Sequence, residues 1–406
     1  MAAEQRDSEP RRPPNVLPAE YATFRPEVTA YLQDLIPRKR CVILDPMAGT
    51  APLIPFVQTH GHIGHFADLL PLHYHVNLAR RYESCVTYRE IGRKGILAML
   101  SASSARLRSI SRSSRISTDW IDQETLNALC RTWGNLERHD EGTRVLLRAC
   151  LLLSLRPLST YSETKNGTWL KPGGMAAATS VHATFAQTLE RLENYYRFVY
   201  PVPLVRVGRV HLRTANAADV RIPGGVDFIM TSPAYCNRLD YKRIYGPELR
   251  FLEAIGEKFD DTHLIGTNVV HGYATWEEDV EFARTRSAGV GRFLSVVAQR
   301  QRRSERTSNY YVRCFARYFA ALFRAFASIT RNLRPGGLLA VVTQDNSHRG
   351  ALIDIHGALE DFLSAEGFTI SLGKEWHRHH LGKRNVSREY PAVTHKQLER
   401  VLIARR

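Results

Sequence analysis

The stretch CVILDPMAGTAPLIPFVQTHGHIGHFADLLPLHYHVNLARRY, Cys41 to Tyr82, decides the fold. An apolar run breaks at Asp45 into a loop that carries a proline and a glycine. "PLIPFVQTHG" can form a helix, with Pro52 in its first turn, where a missing N–H costs nothing. "IGHFADLLP" is a second apolar run with an acid, Asp68, near its end, and "LHYHVNLARRY" is a second helix. Strand, loop, helix, strand, acid, helix opens a doubly wound α/β sheet. Such sheets bind ligands beyond the carboxyl ends of their strands, which singles out the loop after Asp45 and the residue at 68.

Outward from this core the rhythm changes and then returns. "RPEVTAYLQDLIP", 25–37, reads as an amphipathic helix before the first strand. Residues 83 to about 204 interrupt the alternation. Within them "SASSARLRSISRSSRIS", 101–117, reads as a mobile basic segment, and helices are expected over 120–134, 142–155 and 181–199. Strand signals resume at "LVRVGRVHLRTANAADV" and "VDFIMTSPAY". Glu257 to Ser308 reads as irregular and basic. Tyr311, Phe315, Phe319, Leu322 and Phe326 then space a helix that should stop at "LRPGG", with Gly336 and Gly337 as stop and turn. "LLAVVTQD", "GALEDFLSAEG", "FTISLGKEW" and "ERVLIARR" close the sheet as strand, helix, strand, strand. The expected plan is a disordered tail over 1–15, a core over 16–82 and 205–406, and a mostly helical insertion over 83–204.

Lys and Arg outnumber Asp and Glu by 56 to 40, a formal charge of +16. That excess points to a polyanionic partner, most simply nucleic acid. The six cysteines include no C-x-x-C pair and several sit in apolar runs, so reduced, buried thiols are expected rather than a disulfide framework or zinc site. "MAAEQRDSEPRRPPN" has no apolar h-region, so no secretion signal is expected. The longest apolar run, "VLLRACLLLSL", is too short to span a bilayer and contains Arg148. A cytoplasmic protein without a membrane partner follows as the expectation. His60, His62, His65, His73 and His75 lie close in sequence, as do His377, His379 and His380. None follows H-E-x-x-H or joins a cysteine at zinc spacing, so no metal is expected.

The loop "LDPMAGT" is not G-x-G-x-x-G and has no Lys-Ser/Thr for a phosphate chain. With Gly49 allowing close backbone approach and Asp68 placed for ribose hydroxyls, it suits an adenosyl ligand without a pyrophosphate. The second chemical loop is "TSPAY", where the strand Val226 to Met230 runs into Ser232, Pro233 and Tyr235.

The pair "DPMAGT … TSPAY" resembles the S-adenosylmethionine-dependent amino-methyltransferases that modify exocyclic amines of DNA bases. Their cofactor loop reads Asp-Pro-Phe-x-Gly-Ser/Thr-Gly and their catalytic loop Asp/Asn/Ser-Pro-Pro-Tyr/Phe/Trp. "PAEYATFRPEV", 18–28, is similar to their N-terminal cofactor motif. "RTANAADV", 213–220, resembles the acid-bearing loop that contacts the cofactor adenine. "YFAALFRAFASITRNLRPGGLLAVV" resembles the helix and strand that follow the catalytic loop. "NRLDYKRIYGPELRFL" and "YSETKNGTWLKPGG" are similar to a subgroup assigned to cytosine-N4 methylation. The resemblance covers roughly residues 16–82 and 205–406.

That resemblance implies an α/β, doubly wound, mostly parallel seven-stranded methyltransferase sheet with a helical insertion. It implies a site-specific DNA methyltransferase of a restriction-modification system, acting on double-stranded DNA beside a restriction endonuclease encoded separately. S-adenosyl-L-methionine would be held by Asp45, Pro46, Met47, Ala48, Gly49, Thr50, Asp68 and Asn216. An exocyclic amine is a poor nucleophile because its lone pair is delocalised into the ring. The Ser232 side chain and the Pro233 carbonyl would accept its two N–H groups and localise that pair. Tyr235 would stack on the flipped base. Ser at 232 favours cytosine N4 over adenine N6, the alternative target. Arg106, Arg108, Arg112 and Arg115 would lie along phosphates, as would Arg238, Arg300, Arg302 and Arg303. Tyr161, Lys165, Asn166 and Trp169 would form a recognition loop.

Three departures keep other outcomes open: Ala234 for the second proline, Ala51-Pro52 for Gly-Thr, and Asn216 for an acid. An inactive DNA-binding relative is one alternative, and an RNA base-amine methyltransferase is another.

Overall fold

The structure, a computed structural model, describes residues 25–110, 116–164, 170–175, 180–236, 240–257, 260, 262, 264–265, 276–301, 309–377 and 398–406. The fold is α/β. Its central sheet has seven strands: β1 (Val42–Asp45), β2 (Ile63–Asp68), β3 (Arg209–Thr214), β4 (Val226–Thr231), β5 (Leu333–Gln344), β6 (Thr369–His377) and β7 (Leu398–Arg405). Their order is β6-β7-β5-β4-β1-β2-β3. Pairs β1–β4, β4–β5 and β2–β3 are parallel, and β7 is antiparallel to both β5 and β6. From β1 the chain steps through β2 to β3 at one edge, then returns to β4 on the other side of β1. A reversal of this kind opens a crevice beyond the carboxyl ends of the two strands that flank it.

Two compact units divide the chain. The first takes the described residues within Met1–Arg40, Ala48–Thr214 and Tyr241–Phe259, and the second those within Cys41–Met47, Ala215–Asp240 and Asp260–Arg406. In the first, α1 (Pro26–Leu35), α2 (Ile54–Thr59) and α3 (Pro71–Ala79) appear where apolar spacing places them. A long helix, α4 (Tyr82–Ser103), absorbs the start of the segment read as mobile and basic. It is kinked at Gly92, whose φ is 75°. After it come α5 (Ala105–Arg108), α6 (Gln123–Asn135), α7 (Glu141–Leu153) and α8 (Val181–Val199). Asp122, Asp140 and Ser180 cap α6, α7 and α8 by accepting the N–H of Thr125, Thr143 and Ala183. The apolar run "VLLRACLLLSL" is a buried helix, α7. A short α9 (Tyr241–Ile244) and α10 (Gly246–Ala254) complete this unit, and the buried Arg156 holds them through Glu248 (3.2 Å) and the Ile244 carbonyl (2.6 Å).

The second unit is built on β4, whose Phe228, Ile229 and Met230 are fully buried. Each such side chain contributes about 1.5–3 kcal/mol by leaving water. Its other helices are α11 (Trp276–Arg286), α12 (Ala288–Gln299), α13 (Tyr310–Ile329) and α14 (Ile355–Ala365). Three expectations are corrected. The stretch Glu257–Ser308, read as irregular, contains α11 and α12: Val290, Phe293, Leu294 and Val297 form a buried helical stripe that its arginines and glycines obscure. Pro55, not Pro52, occupies the first turn of α2, because Ala51 turns the chain at φ 44° before the helix begins. "LRPGG" does not stop α13. Asn332 does, by donating to Ile329 and Val220 carbonyls and accepting the Ile222 N–H. Gly336, at φ 75°, lies in a bulge of β5, where two steps of β4 (Val226 to Phe228) match five of β5 (Leu333 to Leu338).

Candidate active site

The first unit holds a loop that is braced from behind. The Gly49 N–H donates to Asp68 Oδ2 (2.8 Å) and its carbonyl accepts from Asn77 Nδ2 (2.8 Å). Arg80 donates to the Thr50 carbonyl, and the Ala48 N–H to the Ala67 carbonyl (2.9 Å). Gly49 has φ 50°, and a Cβ placed on it would meet nothing within 4 Å, so the outer side of the turn is open. Asp68 Oδ1 accepts the Leu70 N–H (2.9 Å) and lies 3.0 Å from His73 Nδ1. Burial would raise the Asp68 carboxyl, but His73 and the N–H groups of Leu70 and Gly49 outweigh it and hold it below the usual carboxylate range. Asp68 is thus an ionised acceptor at neutral pH. Ala48, Asp68, Tyr74, Asn77 and Arg213 line a small pocket beside the loop.

Asn77 and Arg80 escaped the sequence reading, which weighed His73 only as a metal ligand. The three stand at i, i+4 and i+7 along "LHYHVNLAR", one stripe of α3 and its end. Polar residues at that spacing usually mark a solvated face; here all three are buried and aimed at the loop and its acid.

In the second unit, β1 and β4 pair in parallel with Ile43 opposite Phe228 and Leu44 opposite Ile229. Asp45 therefore ends its strand abreast of Met230, one step before Thr231 and two before Ser232. Adjacent strands lie about 4.8 Å apart, so Asp45–Met47 and Ser232–Tyr235 leave neighbouring strands at the same end. Asp45 is buried and its Oδ1 accepts the Met47 N–H (3.3 Å). Pro233 is buried while Ser232, Ala234 and Tyr235 are half-buried. The Tyr318 hydroxyl of α13 donates to the Ala234 carbonyl (2.9 Å). This bond restrains the loop where the second proline of the motif is missing. Asn216 is half-buried, and its Oδ1 caps the turn Ala217–Asp219 through the Ala218 N–H (3.1 Å). Its NH2 group makes no hydrogen bond among the described residues.

The residues expected along DNA are placed in part. Arg106 and Arg108 are exposed on α5. Arg300 instead donates to the Arg349 carbonyl (2.8 Å) while Arg349 donates to the Arg300 carbonyl (2.9 Å), a reciprocal brace. Tyr161 starts a two-stranded ribbon, Tyr161–Glu163 with Leu170–Pro172. Arg112, Arg115, Lys165, Asn166, Trp169, Arg238, Arg302, Arg303, His379 and His380 lie outside the described residues. His75 bonds Glu257 (2.8 Å) and His65 stacks on His211. Among the described residues no group of His, Cys, Asp and Glu could hold a metal ion, and no helix is long and apolar enough to cross a membrane. All six cysteines are free.

Neither the models of known protein families nor the curated protein sequences contain a match to this chain.

Proposed function

We propose that this chain is an S-adenosylmethionine-dependent DNA methyltransferase that modifies an exocyclic amine of a flipped base, cytosine N4. The observation that carries the proposal is the pairing of β1 with β4. The strand order reverses between them, and the Asp45 and Ser232 loops leave their adjacent ends. The seven-stranded, mostly parallel sheet is compatible with the sheet of that family.

The residues present fit the cofactor. Asp68 is a carboxylate kept ionised, which accepts the Gly49 and Leu70 N–H groups, lies 3.0 Å from His73 Nδ1, and keeps acceptor capacity for a ribose hydroxyl. The open side of Gly49 admits a ligand against the backbone. In the second unit, the resemblance would give the Asn216 amide to the adenine, while Asp45 accepts the Met47 N–H. Bound there, the cofactor would supply an electrophilic methyl group on a sulfonium. Ser232 Oγ and the Pro233 carbonyl would accept the two amine N–H groups, concentrating the nitrogen lone pair. Pro233 fixes the direction of its own carbonyl. Tyr235 would stack on the base and exclude water from it. Positioning and electrostatics carry the step, without a covalent nucleophile.

The test is incubation of the chain with duplex DNA and methyl-labelled cofactor, followed by nucleoside analysis. N4-methylcytosine is expected. Normal cofactor binding with no methylated base refutes the proposal, and N6-methyladenine corrects the target. Ser232→Ala should lower turnover on the order of a hundredfold, the scale of losing one preorganised polar contact, with cofactor affinity unchanged.

A further inference from the structure

Strand β3 carries arginines that the fold leaves uncommitted. Other guanidinium groups are paired: Arg156 with Glu248, Arg334 with Asp227, Arg400 with Asp345 and Asp354. Arg206, Arg209 and Arg213 are exposed and make no hydrogen bond or ion pair among the described residues. No Asp or Glu occurs in the sequence between Glu193 and Asp219.

The pleat sets Arg209, His211 and Arg213 on one face of the strand. β2 pairs in register, Ile63 with Arg209, His65 with His211 and Ala67 with Arg213, so the same face continues across both strands. The imidazoles of His65 and His211 stack with centroids 4.7 Å apart and planes 15° apart. Burial, then His211 and Arg213, push His65 down to about 4. His65 is therefore uncharged at neutral pH, and the guanidinium groups of Arg209 and Arg213 give this face its positive charge. β3 is also the terminal strand of the sheet. Alternate residues of a strand are about 6.6 Å apart, close to the roughly 6.8 Å that two nucleotides of one DNA strand advance along the duplex axis.

We propose that this face docks a nucleic-acid phosphate backbone, with Arg209 and Arg213 as its phosphate ligands. Arg213 also lines the pocket beside the Gly49 loop, but the docking does not depend on the methyl-transfer proposal. Val202, Val205 and Val207, exposed beside Arg206, are what an acidic protein partner would use instead.

The experiment measures binding of the full chain to a short labelled duplex of arbitrary sequence across a salt series. Arg209→Ala with Arg213→Ala should reduce the slope of log K against log salt by about 1.8, at about 0.9 per phosphate contact. Arg209→Lys with Arg213→Lys should restore it, and thermal unfolding should not move. An unchanged slope overturns the proposal. So does equal weakening of binding to labelled poly-glutamate, which would assign the face to an acidic protein. A reduced slope in a chain that methylates nothing leaves this docking face standing and removes the methyltransferase proposal. An unchanged slope with methylation intact does the reverse.

Discussion

The two chemical loops are held in different ways. Around Gly49 the backbone is bound by side chains that arrive from elsewhere in the sequence: Asp68, Asn77 and Arg80 each take a backbone group of the turn. The Ser232 loop has its own proline, and the Tyr318 hydroxyl reaches the Ala234 carbonyl within it. The first arrangement is a cradle of three side chains. The second is a short loop with a pin at Ala234. A loop that binds a cofactor benefits from a fixed backbone, whereas a loop that admits a flipped base must let a ring pass.

The largest effect is expected from breaking the cradle. Asp68→Ala leaves the Gly49 and Leu70 N–H groups without their acceptor and removes the proposed ribose ligand. Stability should fall by about 1–3 kcal/mol, and cofactor affinity on the order of a hundredfold, about 2.7 kcal/mol. Calorimetry with S-adenosylmethionine and thermal unfolding read the two separately. Wild-type affinity in this variant would mean that the cradle holds no cofactor.

Much of this contrast could be read before the fold was known, and the part that could not has a physical cause. Asp45, Gly49, Asp68 and the Ser-Pro pair are visible because they end apolar runs, where a polar or stiff residue breaks a local pattern. Asn77 and Arg80 break no pattern: a polar residue on an amphipathic helix looks the same whether it meets water or a backbone carbonyl 28 or 30 residues away. Tyr318 was hidden in the same manner, as one more aromatic on a helix rich in them. Gly336 was misread because a glycine after a helix signals a stop, and only the register of β5 against β4 reveals a bulge.

Acid should separate the cradle from the rest of its surroundings. Asp68 has a lowered folded pKa, so its stabilisation is complete above the ordinary carboxylate range and is lost only when pH falls through the lower folded value. Histidines behave oppositely. Burial, then Arg400, push His356 of α14 down to about 4, as His65 is pushed in the first unit. The unfolded chain takes up those protons near pH 6.5 and the folded chain near 4, so stability declines as pH drops between these values and levels off below. His356 is buried against Thr343 (3.2 Å), and on the order of 3 kcal/mol should be lost across that window. Unfolding measured from pH 7 to 4.5 should slope less steeply in His356→Gln. An equal slope in both proteins would remove His356 as the cause.

The smallest expected effect is also the most direct probe of the pin. Tyr318→Phe keeps the ring, which is buried in α13, and deletes only the hydroxyl. Stability should drop by about 0.5–1.5 kcal/mol, the net value of one hydrogen bond. Turnover should fall several-fold, because the Ala234 carbonyl is released and the Pro233 carbonyl with it loses a fixed direction. Cofactor affinity should not change, since no group of the Gly49 cradle is touched. If affinity and turnover fell together, Tyr318 would be supporting the fold at large and not the Ser232 loop. If turnover alone responded, the hydroxyl would be doing for Ala234 what a second proline does in the motif it resembles.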